Sequence, residues 1–134
     1  MRTFIAIDFP PSALEKIAEI SNFFKQQTPQ NALKWVETPN THLTIKFIGE
    51  IEEVILPVVK EKLSQALQNL KPYSIQISGL GMYPNKKNPR VVWLGILGAE
   101  PLVEIHRLIN EKLVEIGIKA DHRPFSPHMT IARV

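Results

Sequence analysis

His42-Leu43-Thr44-Ile45-Lys46-Phe47 and His128-Met129-Thr130-Ile131-Ala132-Arg133 open with the same pattern: His, apolar, Thr, apolar. Successive side chains of a β-strand point to opposite faces, so each copy reads as a two-sided strand. His42 and Thr44 share one side while Leu43 and Ile45 share the other. The same parity sets His128 and Thr130 against Met129 and Ile131. The apolar side belongs in a core. The other side offers an imidazole and a hydroxyl. Two such strands brought to one groove are equipment for moving protons around a phosphate.

The segments around the two copies set the fold class. Thr3, Ile5 and Ile7 alternate with Phe4, Ala6 and Asp8, which predicts a first strand over residues 1–8. Pro10-Pro11-Ser12 ends it and offers Ser12 as an N-cap. Leu14, Ile17, Ala18 and Phe24 fall near helical spacing and predict a helix through the high teens and early twenties. Residues 28–31 read as loop, 34–37 as a short strand, and Thr38-Pro39-Asn40 as the break before the first His motif, which Gly49 should stop. Ile55, Val59, Leu63, Ala66, Leu67 and Leu70 form a stripe for a second helix over roughly 52–70, with Pro57 tolerable only in its first turn. Strand-like stretches follow at 73–82 and 90–97, joined by Pro84-Asn85-Lys86-Lys87-Asn88-Pro89 as a hairpin-type loop. A third helix, over about 101–116, carries Leu102, Ile105, Ile109, Leu113 and Ile116, and Gly117 can close it.

Strands and helices do not alternate singly in this order, so a simple parallel α/β sheet fits poorly. The expectation is an α+β fold with largely antiparallel sheets flanked by helices. A helix precedes each motif, which suggests two pseudo-symmetric lobes whose His-x-Thr-x strands face a central cleft.

Composition narrows the function classes. At 134 residues the chain is long enough for one domain with a real core, taken here as residues 1–134. With 44% hydrophobic and 22% charged residues it is not a disordered chain. There is no cysteine, which removes disulfides, thiolate metal sites and a cysteine nucleophile. The first apolar run is too short for a signal peptide, and no stretch approaches bilayer length, so a cytoplasmic protein without a membrane partner is the expectation. A net charge of +3 permits an RNA substrate without demanding one.

Histidine titrates near neutrality, so a pair can supply one acid and one base. In-line attack on a phosphodiester needs both, one on the attacking side and one on the leaving oxygen. Threonine hydroxyls two residues along can donate to the non-bridging oxygens, which gain charge in the transition state. Water attack on a strained cyclic phosphate has a good leaving group, so no metal or other cofactor is expected. A single His-x-Thr is common on structural strands; the second copy is what favours catalysis.

These motifs, with Phe4-Ile5-Ala6-Ile7, Asn40-Thr41 before and Ile48-Gly49 after the first copy, Pro89-Arg90-Val91-Val92-Trp93-Leu94-Gly95, and Arg123-Pro124-Phe125-Ser126-Pro127 before the second, resemble the 2H phosphoesterase superfamily. Within it the chain is most similar to the RNA 2',3'-cyclic phosphodiesterases, once named 2'-5' RNA ligases. The resemblance implies hydrolysis of an RNA-terminal 2',3'-cyclic phosphate to a 2'-phosphate. It implies His42 as proton donor to the departing 3' oxygen, His128 as the base that activates water, and Thr44 and Thr130 as the phosphate holders. Members of that family usually continue for some tens of residues past the second motif. The chain is therefore expected to lack the usual C-terminal strands, leaving a sheet edge open beside His128.

Three further residues are candidates for substrate contact. Arg133 has parity opposite to His128, so only a bulge or the strand's end would bring it to the same side; the resemblance implies that an Arg here contacts phosphate or stacks on a base. Lys46 shares the parity of His42 and Thr44 and either lends positive potential to the groove or is a solvated strand-end lysine. Phe4 lies beside the small Ala6, with room for a base to stack, although core packing is the commoner fate of an aromatic. His106 should flank the core of the third helix, His122 should be a surface loop residue rather than a substrate contact, and Trp35 and Trp93 should be core rather than base-stacking platforms. Lys86, Lys87 and Arg90 form a basic loop that either tracks an RNA backbone or merely solvates a turn. No histidine pair has the spacing of a helical metal-ligand pair, so no metal site is expected. The expected partners are RNA ends or cyclic nucleotides, met by a monomer. End joining through a 2'-5' linkage in the same groove is the alternative enzyme. A non-catalytic nucleotide- or RNA-binding module is the alternative from another class.

Overall fold

A computed structural model describes residues 1–29, 32–37, 41–83 and 90–134. The 84–89 loop, with Lys86 and Lys87, and the Thr38-Pro39-Asn40 break lie outside the described residues. In chain order the elements are β1 (Arg2–Asp8), α1 (Pro11–Gln26), β2 (Lys34–Trp35), β3 (His42–Glu50), a 3-10 turn (Glu53–Ile55), α2 (Leu56–Leu67), β4 (Gln76–Tyr83), β5 (Val91–Leu97), α3 (Glu100–Val114) and β6 (His128–Arg133). This is an α+β architecture with antiparallel sheets and, among the described residues, three α-helices.

Local differences from the sequence reading have local causes. Ser12 is not the N-cap of α1 but lies inside it: Pro10 is the N-cap, Pro11 opens the helix, and no side chain caps it. Proline at the first helical position loses nothing, because that N–H has no intrahelical acceptor. The same rule resolves Pro57, since the segment ahead of Leu56 is a 3-10 turn and Pro57 falls in the first turn of α2. Ile55 and Leu70 lie outside that helix and are exposed, so the stripe is shorter than its periodicity suggests. At the far end of α3, Gly117 takes a φ of 86° and the Ile118 N–H donates to the Leu113 carbonyl at 3.1 Å, closing the helix.

The residues gather into two compact units. One comprises Met1–Ala6, Thr44–Gln76 and Gly98–Pro127. In it β1 and β3 form a two-stranded sheet, with Ile51 N–H donating to the Met1 carbonyl at 2.9 Å where β1 begins and β3 has just ended. α2, with Val59 buried, packs on α3, which buries Leu102, Ile105, Ile109 and Leu113.

A buried cation organises this unit. Lys46 is only 3% exposed, and its ammonium donates to Asn110 Oδ1 at 2.6 Å, the Lys119 carbonyl at 3.0 Å and Asp121 Oδ1 at 2.9 Å. Asp121 Oδ2 meets His106 Nε2 at 2.7 Å, and the His106 ring stacks on Phe125 with centroids 4.7 Å apart. Asn110, itself buried in α3, accepts from Lys46 and from the Asp121 backbone N–H. Lys46 is therefore not a solvated strand-end lysine. A buried ammonium is tolerated only when all its N–H bonds have acceptors, and here three acceptors are supplied by α3 and the segment after it.

The other unit comprises Ile7–Leu43, Ile77–Leu97 and His128–Val134. Its four-stranded sheet has the order β2-β6-β5-β4. β6 is antiparallel to both neighbours, pairing with β5 from His128 to Arg133 and with the short β2 only at Ala132 and Arg133. Beneath the sheet Met129, Ile131, Ala132, Val92 and Leu94 meet Ile17 of α1, with Leu14, Ile20 and Trp35 packed against them.

Burial raises the pKa of Asp121, but hydrogen bonds from Lys46 and His106 outweigh it and hold the carboxyl below its ordinary range. A depressed folded-state pKa stabilises the protein above the unfolded value and loses that contribution as pH falls. Acid should therefore destabilise the wild type below about pH 4, and Asp121→Asn should flatten that part of the stability profile. Asp121→Ala should cost roughly 2–3 kcal/mol at neutral pH, less than a fully buried pair because the carboxylate is partly solvated. Denaturant unfolding across pH checks both; an unchanged midpoint would show that Lys46 does not depend on this partner.

Candidate active site

β6 presents its chemistry by strand parity until Ile131, and then the parity changes. Leu94 pairs with Met129 and Gly95 with His128, as Trp93 does with Thr130, but Val92 pairs with Ala132. Ile131 is thus an extra residue on β6, a bulge in the ladder. Its signature is burial of two neighbours in sequence, Ile131 and Ala132, after which Arg133 emerges exposed. The slip restores Arg133 to the side of His128 and Thr130. One face of the β5–β6 pair therefore carries His128, Thr130 and Arg133 opposite Gly95, Trp93 and Val91. His128 and Arg133 are exposed and Thr130 half-buried.

Trp93 belongs to this face rather than to the core. Its ring centroid lies 5.9 Å from that of His128, with the planes tilted by 57°. A Cβ at Gly81 on β4 would overlap the Trp93 ring, and one at Gly95 would come 2.7 Å from the Ser78 carbonyl oxygen. The indole can lie across β4 because glycine leaves the space. Trp35, by contrast, packs against the apolar cluster as expected. The sequence signal for Trp93 was present in the glycines: Gly79-Leu80-Gly81 on one strand and Gly95 two residues beyond the tryptophan.

The first motif starts β3. His42 and Thr44 are half-buried, and Leu43 and Ile45 are buried. His42 and Leu43 belong to the same compact unit as β6, while Thr44 opens the part of β3 in the other unit. Beyond Ile45 the simple alternation ends, because Lys46 is buried and Phe47 is exposed. Phe4 is not core: it is 45% exposed and meets Phe47, 65% exposed, at a centroid distance of 5.9 Å. His122 and Arg90 are exposed and His106 is half-buried.

The network of Lys46, Asn110, Asp121 and His106 was missed by the sequence reading. Its one trace is a lysine placed within the apolar run of Ile45, Phe47 and Ile48. Beside it lies a recess of about 680 Å³ lined by His106, Asn110, Asp121, Arg123 and Phe125 among others. None of His42, Thr44, His128 and Thr130 lines it. Among the described residues no group of three or more His, Asp or Glu side chains is gathered in a way that would hold a metal ion. No helix among them is long and apolar enough to cross a membrane.

The sequence model of the 2'-5' RNA ligase superfamily matches residues 9–134. The chain belongs to this superfamily. It is 39% identical to an RNA 2',3'-cyclic phosphodiesterase of Methanocaldococcus jannaschii, over all of this chain and 72% of that protein. It is 35% identical to the RNA 2',3'-cyclic phosphodiesterase of Archaeoglobus fulgidus, over all of this chain and 73% of that protein. Among solved structures, the superfamily fold recurs in TT0787 of Thermus thermophilus, with a TM-score of 0.83 at 28% identity over 99% of this chain and 74% of that one. It recurs in Escherichia coli LigT complexed with 3'-AMP, with a TM-score of 0.77 at 27% identity over 98% of this chain and 72% of that one.

The close approach at Gly81 can be tested directly. Gly81→Ala should displace the Trp93 ring, change the near-ultraviolet circular dichroism, and destabilise by about 1–3 kcal/mol, as overpacking does. An unaltered spectrum and unfolding midpoint would remove the ring from its place over β4.

Proposed function

We propose that this chain hydrolyses the 2',3'-cyclic phosphate at RNA ends and leaves a 2'-phosphate. The observation that carries the reading is similarity along the entire chain to proteins named RNA 2',3'-cyclic phosphodiesterase, in a chain that keeps both His-x-Thr-x elements. The exposed face of His128, Thr130 and Arg133 supports it as a surface suited to an anion.

In the proposed reaction His128 takes a proton from water as the water oxygen bonds to phosphorus. His42 gives a proton to the 3' oxygen as the bond between phosphorus and that oxygen breaks. One proton enters the protein and one leaves, so the pair ends with exchanged protonation and resets through solvent. Thr44 and Thr130 donate hydrogen bonds to the non-bridging oxygens, where charge builds up. Arg133 holds the phosphate or stacks on a base, and Phe4 stacks on a base. Lys46 acts on the groove only at a distance, because a direct contact would have to displace one of its three acceptors. Acid and base are both supplied by the chain, so the reaction needs no metal or other cofactor. One chain carries both motifs, which supports a monomer as the acting form, and the RNA substrate supports a cytoplasmic setting. A 5'-hydroxyl in place of water would make the same groove a 2'-5' end-joining site, as the superfamily's description suggests.

His42→Ala and His128→Ala should each reduce turnover of a cyclic-phosphate-ended oligonucleotide by about 10²–10⁴-fold, the factor general acid or base catalysis supplies, while leaving the circular dichroism unchanged. A variant with wild-type rate would remove that histidine from the mechanism. The rate should follow a bell-shaped pH profile between about pH 5 and 8, and a flat profile would count against an acid and base pair. Turnover should survive EDTA; loss restored by a divalent cation would refute the metal-free mechanism. Resolving 2'-phosphate, 3'-phosphate and joined products separates hydrolysis from ligation.

A further inference from the structure

The part of the β5–β6 face that the reaction leaves unused is its centre. Trp93 sits there, flanked along its own strand by Gly95 and across the sheet by Gly81. The strand pairing puts it opposite Thr130 and close to the pair that holds His128. Its ring is half-buried, is not part of the apolar cluster beneath the sheet, and tilts by 57° to the imidazole at 5.9 Å. Nothing in core packing asks for an indole on the polar side of a sheet. Yet two positions around it are glycines whose replacement would collide with the ring or with backbone.

We propose that Trp93 is the platform on which the nucleobase of the terminal nucleotide stacks while its phosphate lies at His128 and Thr130. The inference rests on the phosphodiesterase reading for the position of the phosphate and goes beyond it in assigning the base of the terminal nucleotide to Trp93. In a nucleoside 2',3'-cyclic phosphate the base is separated from phosphorus by a single ribose. The 5.9 Å between the two ring centres is comparable to the distance from base to phosphorus across one ribose. Glycine at position 95, directly across from His128, leaves that sugar room where any other residue would set a side chain beside the imidazole. An indole face binds every base, because each base has a π-face and stacking requires no particular hydrogen-bond pattern. Trp93 therefore favours nucleotides over other cyclic phosphates without selecting among bases. That is the tolerance needed to process RNA ends of different sequence.

The test compares a nucleoside 2',3'-cyclic phosphate with 1-O-methylribose 2',3'-cyclic phosphate, which keeps the strained ring and lacks a base. Wild-type protein should prefer the nucleotide in kcat/KM by about tenfold or more, the fold-change that stacking of one base on an aromatic ring supplies. Trp93→Leu should reduce that preference to near unity, chiefly through KM, and Trp93→Phe should keep part of it. Equal kcat/KM for both substrates in the wild type, or an undiminished preference in Trp93→Leu, overturns the proposal. Equal loss on both substrates in Trp93→Leu also overturns it, since the residue would then act only by holding His128. The wild-type comparison stands even if the leucine variant fails to fold. Fluorescence separates this proposal from the hydrolase reading. A nucleoside 2'-phosphate should quench wild-type emission and leave that of Trp93→Phe, which retains Trp35, unquenched. Quenching without turnover would sink the hydrolase and keep the stacking site; turnover without Trp93-dependent quenching would do the reverse.

Discussion

Met129 and Ile131 must both stay dry, and the face that β6 offers to solvent follows from that demand. Burying each is worth about 2 kcal/mol, and a one-residue shift of register would turn both outward and His128 and Thr130 inward. The ladder to β5 keeps this arrangement through Thr130 and then admits one extra residue at Ile131. The bulge lets Ala132 join Ile131 in the apolar cluster and brings Arg133 round to the polar side. A cationic side chain and an imidazole that ideal geometry would put on opposite faces thereby share one. Bulges are a common means of re-aiming side chains near reactive centres.

Each motif strand is backed by a helix, but not by the one that precedes it. α1 comes before β3 in the chain and packs Ile17 beneath Met129 and Ile131 of β6. α3 comes before β6 and supplies Asn110 to the lysine of β3. The chain thus crosses between its two compact units within β1 and again within β3. Lys46 is where the second arrangement is held together. A buried ammonium satisfied by Asn110, Asp121 and the Lys119 carbonyl specifies one orientation of α3 and of the segment that follows it, where an apolar contact would tolerate several. Asp121 in turn fixes the His106 ring on Phe125.

The polar face of β5–β6 carries an imidazole, a hydroxyl, a guanidinium and an indole within one compact unit. These groups differ in what they can give to a nucleotide: a proton site, a hydrogen-bond donor, a charge and a stacking plane. Phe4 and Phe47 present a pair of exposed aromatic rings in the other unit.

Much of this was legible along the chain. Alternation in residues 42–45 and 128–131 marks two half-buried strands, and helical stripes mark α2 and α3, because both patterns are local consequences of backbone geometry. The superfamily was legible for the same reason, since its motifs are short and contiguous. What the chain could not show are relations between residues far apart. The acceptors for Lys46 on Asn110 and Asp121 lie 64 and 75 positions away, so strand parity alone had no view of its surroundings. The bulge at Ile131 depends on how β5 and β6 share a core, and neither strand records it alone. Trp93 has the composition of a core residue; only the glycine facing it on β4 turns its ring toward His128. Periodicity says which side of a strand a residue takes, and packing decides what is waiting there.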